Sequence, residues 1–443
     1  MSDVSLYLKS FLKDDRSDSG ASIARGQENY VNRVLAQKIN PGLYFNFKDK
    51  IRHIGVTKNF KEIIDYFKIR DGEIPAGFRI EYIFDNGGLL QADLKRDISY
   101  DANGRKRPTK VLFSADSANP YEVEPVKNII ANLTCNPGII YDLFINNPEA
   151  NIGNKYKNRD EVIKEIGQIL GPGCDINVEL NNPFNQSSEA LLEEAAKFRE
   201  LLSPYRLVMK VPHTGPVNHE NVHELLSGDK KFNRKFDNGS TMDKFRGHNL
   251  ALLLHEHGYR VNFTLMFEPY QTALALQARP YFINAFIRQR KNQSMSLKNL
   301  LELFETSKSE LYLKQLRDYM ISNDFLPPSE KDISLFEVKR IAERILKYRN
   351  FDNHEGFDGL DSARHSLRVL RNSNLPDTRL IICSMEGELN YPDIDKMLSE
   401  PEFHDMAGRV VITTEPSYLA KFTCSNQVVA YQRRFMNAAQ GQL

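Results

Sequence analysis

The sequence predicts an α/β protein whose body is a (β/α)8 barrel of the TIM type, preceded by a small α+β module and interrupted by long loop and helical insertions. Three observations carry that prediction. From about residue 109 short apolar runs alternate with helix-patterned segments, which builds a parallel sheet clothed in helices. The runs number eight, the strand count of a closed barrel, with a doubly wound open sheet as the competing arrangement. Several runs also place polar residues two apart, so that the polar set shares one face of its strand.

Residues up to about Asn40 are polar and helix-tolerant and read as an arm or a partly disordered stretch. From Pro41 the texture changes. GLYFNF and RHIGVT read as strands, KNFKEIIDYFKIR as an amphipathic helix, and FRIEYIFDNGGLLQADL as a hairpin turning on Asp85-Asn86-Gly87-Gly88. The polar stretch Asp101 to Pro108 reads as a linker, giving an amino-terminal module over 1–108 and a barrel over 109–443. The eight barrel runs are VLFSAD, IIANLTCN, DINVEL, LVMKV, RVNFTLMF, YFINAF, RLIICSM and RVVITTE. Segments such as SEALLEEAAKFRELL, GHNLALLLHEHG and LDSARHSLRVLRN supply the helices between them. Insertions break the rhythm near 216–246, after the fourth run, and near 291–357, where the pattern is mostly helical.

Lys+Arg (59) and Asp+Glu (58) nearly cancel, so no global basic field draws the chain to nucleic acid or anionic lipid. Nowhere do 18 apolar residues follow one another, and the first twenty residues lack an apolar run behind a basic tip. Neither a membrane span nor a secretory signal is expected. Cys135, Cys174, Cys383 and Cys424 are scattered without a CxxC pair and read as reduced thiols of a cytoplasmic protein. With no phosphate-cradling glycine motif, nucleotide chemistry is not expected, and no cofactor or metal is implied.

The informative residue is Lys210, a strongly hydrated group inside the apolar run LVMKV. Neighbouring runs carry Ser114 and Asp116, Asn132, Thr134 and Asn136, Asn177 and Glu179, Asn262 and Thr264, and Asn284. Their alternate positions are apolar and suit the helix-covered outside, so the polar ladders point into the barrel toward its C-terminal mouth. Such groups are costly inside unless they satisfy one another or a ligand. In that confined interior the ammonium is disfavoured, and a neutral fraction of the lysine can attack a ketone or aldehyde to form a Schiff base. Glu179 is positioned to shuttle protons directly or through a water held by Thr264, Asp116 to serve the substrate hydroxyls, and the asparagines to fix a polyol chain. The plainer reading pairs Lys210 with Glu179 as a buried structural ion pair.

At these residues the sequence resembles the transaldolase and fructose-6-phosphate aldolase family, class I aldolases on a (β/α)8 barrel. The similar stretches run in order from about Val111 to Glu415: FSADSAN, NLTCNPGII, INVEL, LVMKVPHTG, VNFTLMFEPYQTALAL and FINAF. The resemblance implies Lys210 as Schiff-base nucleophile, Glu179 as acid/base acting through water, Thr264 holding that water, and Asp116 as proton acceptor for the cleaved hydroxyl. It further implies Asn136, Asn262 and Asn284 as contacts to a dihydroxyacetone-type unit, with Phe286 lining the pocket. A sugar or sugar-phosphate substrate follows from the same resemblance. Where the family commonly carries phosphate-binding arginines, this chain has Gln289, flanked by Arg288 and Arg290, and then Met385 and Glu386. A carboxylate there repels a phosphate dianion.

Two rival readings remain at this point. A catalytically inactive barrel could serve as a sugar-binding or scaffold protein, and homo-oligomerisation stays open. HENVH, His219 to His223, matches the HExxH pattern of zinc hydrolases, which on a helix sets two imidazoles on one face. The insertion around it reads as a solvated loop or a lid. FIRQRKNQ reads as a displaced anion site or an exposed helix start, and YQRRF near the C-terminus as a flap over the mouth or simple packing.

Overall fold

The computed structural model describes residues 6–13, 20–67, 78–102, 105–203 and 205–441. The chain gathers into two compact units, one of residues 1–109 with 163–176 and 198–207, the other of residues 110–162, 177–197 and 208–443.

In the first unit, β1 (Ser22–Ile23), β2 (His53–Val56), β3 (Phe78–Phe84) and β4 (Leu89–Arg96) form a sheet in the order β1-β2-β4-β3. β3 and β4 are the predicted antiparallel hairpin. Asp85 Oδ1 accepts from the amides of Gly87 and Leu89, both at 2.9 Å. Gly88 sits at φ 86°, where a Cβ would press on the Lys50 carbonyl, so glycine is required there. The amphipathic helix spans Lys58–Phe67, and the remainder of its predicted stretch lies outside the described residues, as do positions 103 and 104 of the predicted linker.

Two expectations for this region are overturned. GLYFNF is not a strand but helix Pro41–Phe47, because Asn40 caps it by accepting from Gly42 N and Pro41 occupies the first helical position. Cap and proline outweigh the β-preference of the aromatics, and Leu43, Tyr44 and Phe47 then share a face packed on the core. The described residues among the first forty are not a free arm either. Leu8, Phe11, Val31, Val34 and Ile39 belong to that core, with Ile54, Phe60, Leu90 and Leu94.

All eight predicted barrel runs contain a strand: β5 (Leu112–Asp116), β6 (Asn132–Thr134), β7 (Asp175–Glu179), β8 (Arg206–Pro212), β9 (Val261–Thr264), β10 (Phe282–Phe286), β11 (Arg379–Cys383) and β12 (Val410–Thr414). They close in the order β10-β11-β12-β5-β6-β7-β8-β9. The pairing of β12 with β5, Val411 with Leu112 through Thr414 with Ala115, removes the open-sheet alternative. Leu133, Val178, Met209, Phe263 and Ile283, from the apolar set of their strands, are buried. No helix among the described residues is long and apolar enough to cross a membrane.

Both insertions belong to the second unit. The stretch 216–246 is largely exposed but pinned where it returns: Thr214 Oγ1 donates to the Asp243 carbonyl at 2.9 Å, and Asn218 Nδ2 to Asp243 Oδ2 at 3.1 Å. Helix Arg246–Glu256 follows, its Gly247 so close to the Pro212 carbonyl that a Cβ would clash. In the second insertion, helices Arg288–Ser307, Glu310–Ser322 and Leu335–Tyr348 share a core of Leu297, Leu313, Leu316, Met320, Val338 and Ala342. Lys231 reaches the Ser322 carbonyl at 2.5 Å and Asp324 at 3.2 Å, tying the two insertions together. YQRRF lies in helix Asn426–Ala439, none of whose residues is buried.

Candidate active site

The polar ladders do face inward, and they sort into two levels. At the inner level Asn284 Nδ2 donates to Asn262 Oδ1 (2.5 Å), Asn262 Nδ2 to Asn177 Oδ1 (3.0 Å), Asn177 Nδ2 to Asn132 Oδ1 (2.5 Å), and Asn132 Nδ2 to Ser114 Oγ (3.0 Å). Thr413 Oγ1 extends the belt from β12 by donating to Ser114 Oγ at 2.8 Å. The amides run head to tail, each polarising the next. Asn262 and Asn284, expected to hold substrate hydroxyls, are thus largely occupied with each other. Asn284 Oδ1, where the chain ends, meets only the Cys383 thiol, 4.0 Å away, among the described residues.

Toward the strand ends the groups are less satisfied. Lys210 is 6% exposed, and its Nζ stands 3.7 Å from Glu179 Oε2, an ion pair too long for a direct hydrogen bond. Burial raises the Glu179 carboxyl above the usual glutamate range, and the Lys210 charge opposes that rise without cancelling it. On β9, beside β8, Asn262 pairs with Lys210 and Thr264 with Pro212. Thr264 Oγ1 is buried with no hydrogen-bond partner among the described residues. Asp116 accepts from Thr134 Oγ1 at 2.9 Å.

Two buried thiols report that these groups converge. Burial pushes Cys135 up to about 12, and Lys210, Asp116 and Glu179 all act on it electrostatically. Cys383 is raised well above its usual value by burial and feels Asp116 and Lys210. β9 and β11 are each followed by a left-handed residue, Leu265 at φ 56° and Ser384 at φ 57°, a conformation costly for residues other than glycine or asparagine.

The other expected residues have partners of their own or line a cavity. Asn136 caps helix Pro137–Ile140, its Oδ1 accepting from Ile139 N at 2.9 Å, and its amide N–H groups have no partner among the described residues. Phe286 ends β10 and stacks on Phe267, ring centroids 4.7 Å apart. Phe286 and Arg288 line a cavity of about 270 Å³ with Ser384 and side chains of the helical insertion. Arg290 is no anion site. It is 2% exposed and held by Glu268 and Asp361, with Arg349 sharing Glu268.

HENVH does not adopt the geometry its pattern needs. His219 sits in a turn beside Gln186, only Val222–Leu225 coils, as a 3-10 turn, and His223 Nδ1 is bonded to the Glu220 carbonyl at 2.7 Å. No group of three metal-ligating side chains occurs among the described residues. Several contributors escaped the sequence reading. Thr413 alternates with Val411 on β12, a signal that was present. Asn292 and Gln293 fall three and four residues after Gln289 and line the same cavity.

Among curated proteins nothing matches the chain. The family model for transaldolase/fructose-6-phosphate aldolase matches residues 113–380, from β5 into β11. The chain belongs to the transaldolase/fructose-6-phosphate aldolase family.

Proposed function

We propose that this chain is a class I aldolase or transaldolase that works through a Schiff base on Lys210. The observation that carries the reading is a buried lysine inside the barrel, 3.7 Å from a largely buried carboxylate whose affinity for protons is raised. The amine adds to the C2 carbonyl of a ketose and expels water to give an iminium. Asp116 takes the proton of the C4 hydroxyl, the C3–C4 bond breaks, and its electron pair flows into the iminium, leaving an enamine and a free aldehyde. The enamine carbon then attacks an acceptor aldehyde, or takes a proton, and hydrolysis releases the product from Lys210.

Glu179 is suited to move the protons of carbinolamine formation and breakdown. Its 3.7 Å separation from Lys210 and the unpartnered Thr264 hydroxyl suit a bridging water. Asn284 Oδ1 and the amide N–H groups of Asn136 remain as contacts for donor hydroxyls. The substrate class is a sugar or sugar phosphate, the setting carbohydrate metabolism in the cytoplasm.

Incubation with dihydroxyacetone or fructose and borohydride tests the reading. A stable mass adduct on Lys210, absent from Lys210→Arg, is expected. No adduct across a broad ketose panel, with the protein folded, would leave an inactive sugar-binding or scaffold barrel as the better account.

A further inference from the structure

The cavity at the ends of β10 and β11 is walled by Phe286, Arg288, Gln289, Asn292, Gln293 and Asn323. Its lining is rich in amides, and its single cation is compromised. Arg288 Nε lies 4.0 Å from Glu386 Oε2, and the same oxygen accepts from Asn292 Nδ2 at 2.8 Å. Arg290, two residues on and so on a different helix face, is buried and paired with Glu268 and Asp361. Gln293 gives its carbonyl to Arg349 at 3.3 Å, and Asn323 donates to the Tyr319 carbonyl at 3.0 Å, so their remaining amide groups are held in fixed directions.

This cavity is lined in part from the ends of β10 and β11, strands of the same barrel that carries Lys210 and Asp116. Phe286 pairs with Cys383, whose thiol feels both Asp116 and Lys210. Ser384, the next residue, lines the cavity from its left-handed conformation, the kind of backbone strain that persists where the surroundings impose it. Resting on the Schiff-base reading, we infer that the cavity is the acceptor subsite and that it selects an uncharged, polyhydroxylated aldehyde over a phosphorylated one. Amide groups fixed on a cavity wall match hydroxyls as donors and acceptors. A phosphate dianion would meet one arginine already facing a carboxylate and would be repelled by Glu386.

The test uses the full chain with fructose as donor and measures transfer to erythrose against erythrose 4-phosphate, with the borohydride adduct on Lys210 followed separately. The expected result is an adduct together with a kcat/KM at least about tenfold higher for uncharged erythrose. Asn292→Ala should raise the acceptor KM about tenfold with a smaller change in kcat. Glu386→Arg should swing the preference toward the phosphorylated acceptor by about ten- to a hundredfold. An adduct with the phosphorylated acceptor favoured, and no swing in Glu386→Arg, overturns this inference and leaves the Schiff-base reading standing. Failure to form any adduct overturns both.

Discussion

The barrel interior contains two levels built from similar residues, and they do different work. In the asparagine belt from Asn284 to Asn132 each amide donates to the next and the run ends on the Ser114 hydroxyl. Closer to the mouth the pair at Lys210 and Glu179 is stretched, and the Thr264 hydroxyl is unpartnered. A satisfied polar network rigidifies its surroundings and has little affinity left for a ligand. Under-satisfied groups above such a network stand on a rigid floor and keep their bonding capacity for substrate. Polar residues in a barrel therefore identify a site only when their partners are known.

The largest effect should come from the open level. Glu179→Gln is expected to lower turnover by about 10²–10⁴-fold, the range for losing a positioned proton carrier. Because burial raises this carboxyl, the proton it carries is retained above the ordinary glutamate range, and the wild-type pH–rate profile should bend in that region. The Gln variant should lose that bend. An unchanged profile in single-turnover measurements would remove Glu179 from the chemistry and return the pair to a structural role.

The belt should answer in stability instead. Asn177→Ala orphans the Asn132 carbonyl and the Asn262 amide at once, and should cost about 2–4 kcal/mol in urea unfolding. Lost activity in this variant at temperatures where it stays folded would blur the division between the two levels.

The strands were legible because each barrel run is short, apolar on alternate positions and bounded by polar loops, which propensity and period both report. Lys210 was legible for a related reason: a lysine inside such a run has few uses. The split between belt and mouth was not. Asn262 and Thr264 are separated by one residue and share a face, yet the first is doubly bonded and the second unpartnered, a difference set by what β7 and β10 bring across the barrel. Arg290 was hidden likewise, since its partners Glu268 and Asp361 are distant in sequence. In the amino-terminal unit, Leu8, Phe11, Val31 and Val34 were diluted among polar residues and looked like an arm until the sheet brought them together.

A matched pair of substitutions sharpens the comparison at single hydroxyls. Thr134→Val removes the donor to Asp116 and should cost about 1–2 kcal/mol. Thr264→Val replaces a hydroxyl without a partner and should leave stability unchanged or raise it by up to about 1 kcal/mol. The kinetic effect runs the other way for Thr264→Val, with adduct formation slowed about tenfold or more if that hydroxyl holds the water serving Lys210. Equal stability losses in the two variants would mean that the Thr264 hydroxyl has a partner in solution.

An unpartnered buried atom need not be catalytic, and the outer face of β9 provides the control. His213 packs on Phe263 and His248, at ring-centroid distances of 4.4 and 5.2 Å, and its Nε2 is buried without a partner. Burial first, and the neighbouring His248 second, lower His213 from 6.5 to about 3. Burial lowers His248 as well, against a backbone contact at Leu274. The folded state thus keeps His213 neutral while the unfolded chain takes up a proton below about pH 6.5, so stability present above that pH is lost progressively as pH falls toward 3. About 1 kcal/mol should disappear between pH 7.5 and 5.5, measured by urea unfolding, and His213→Phe should flatten that slope. The substitution should not touch the Lys210 adduct, because Phe263 and Thr264 alternate on β9 and put the histidines and the lysine on opposite faces of the barrel wall. Loss of the adduct in a folded His213→Phe variant would show that the wall between the two faces transmits more than packing.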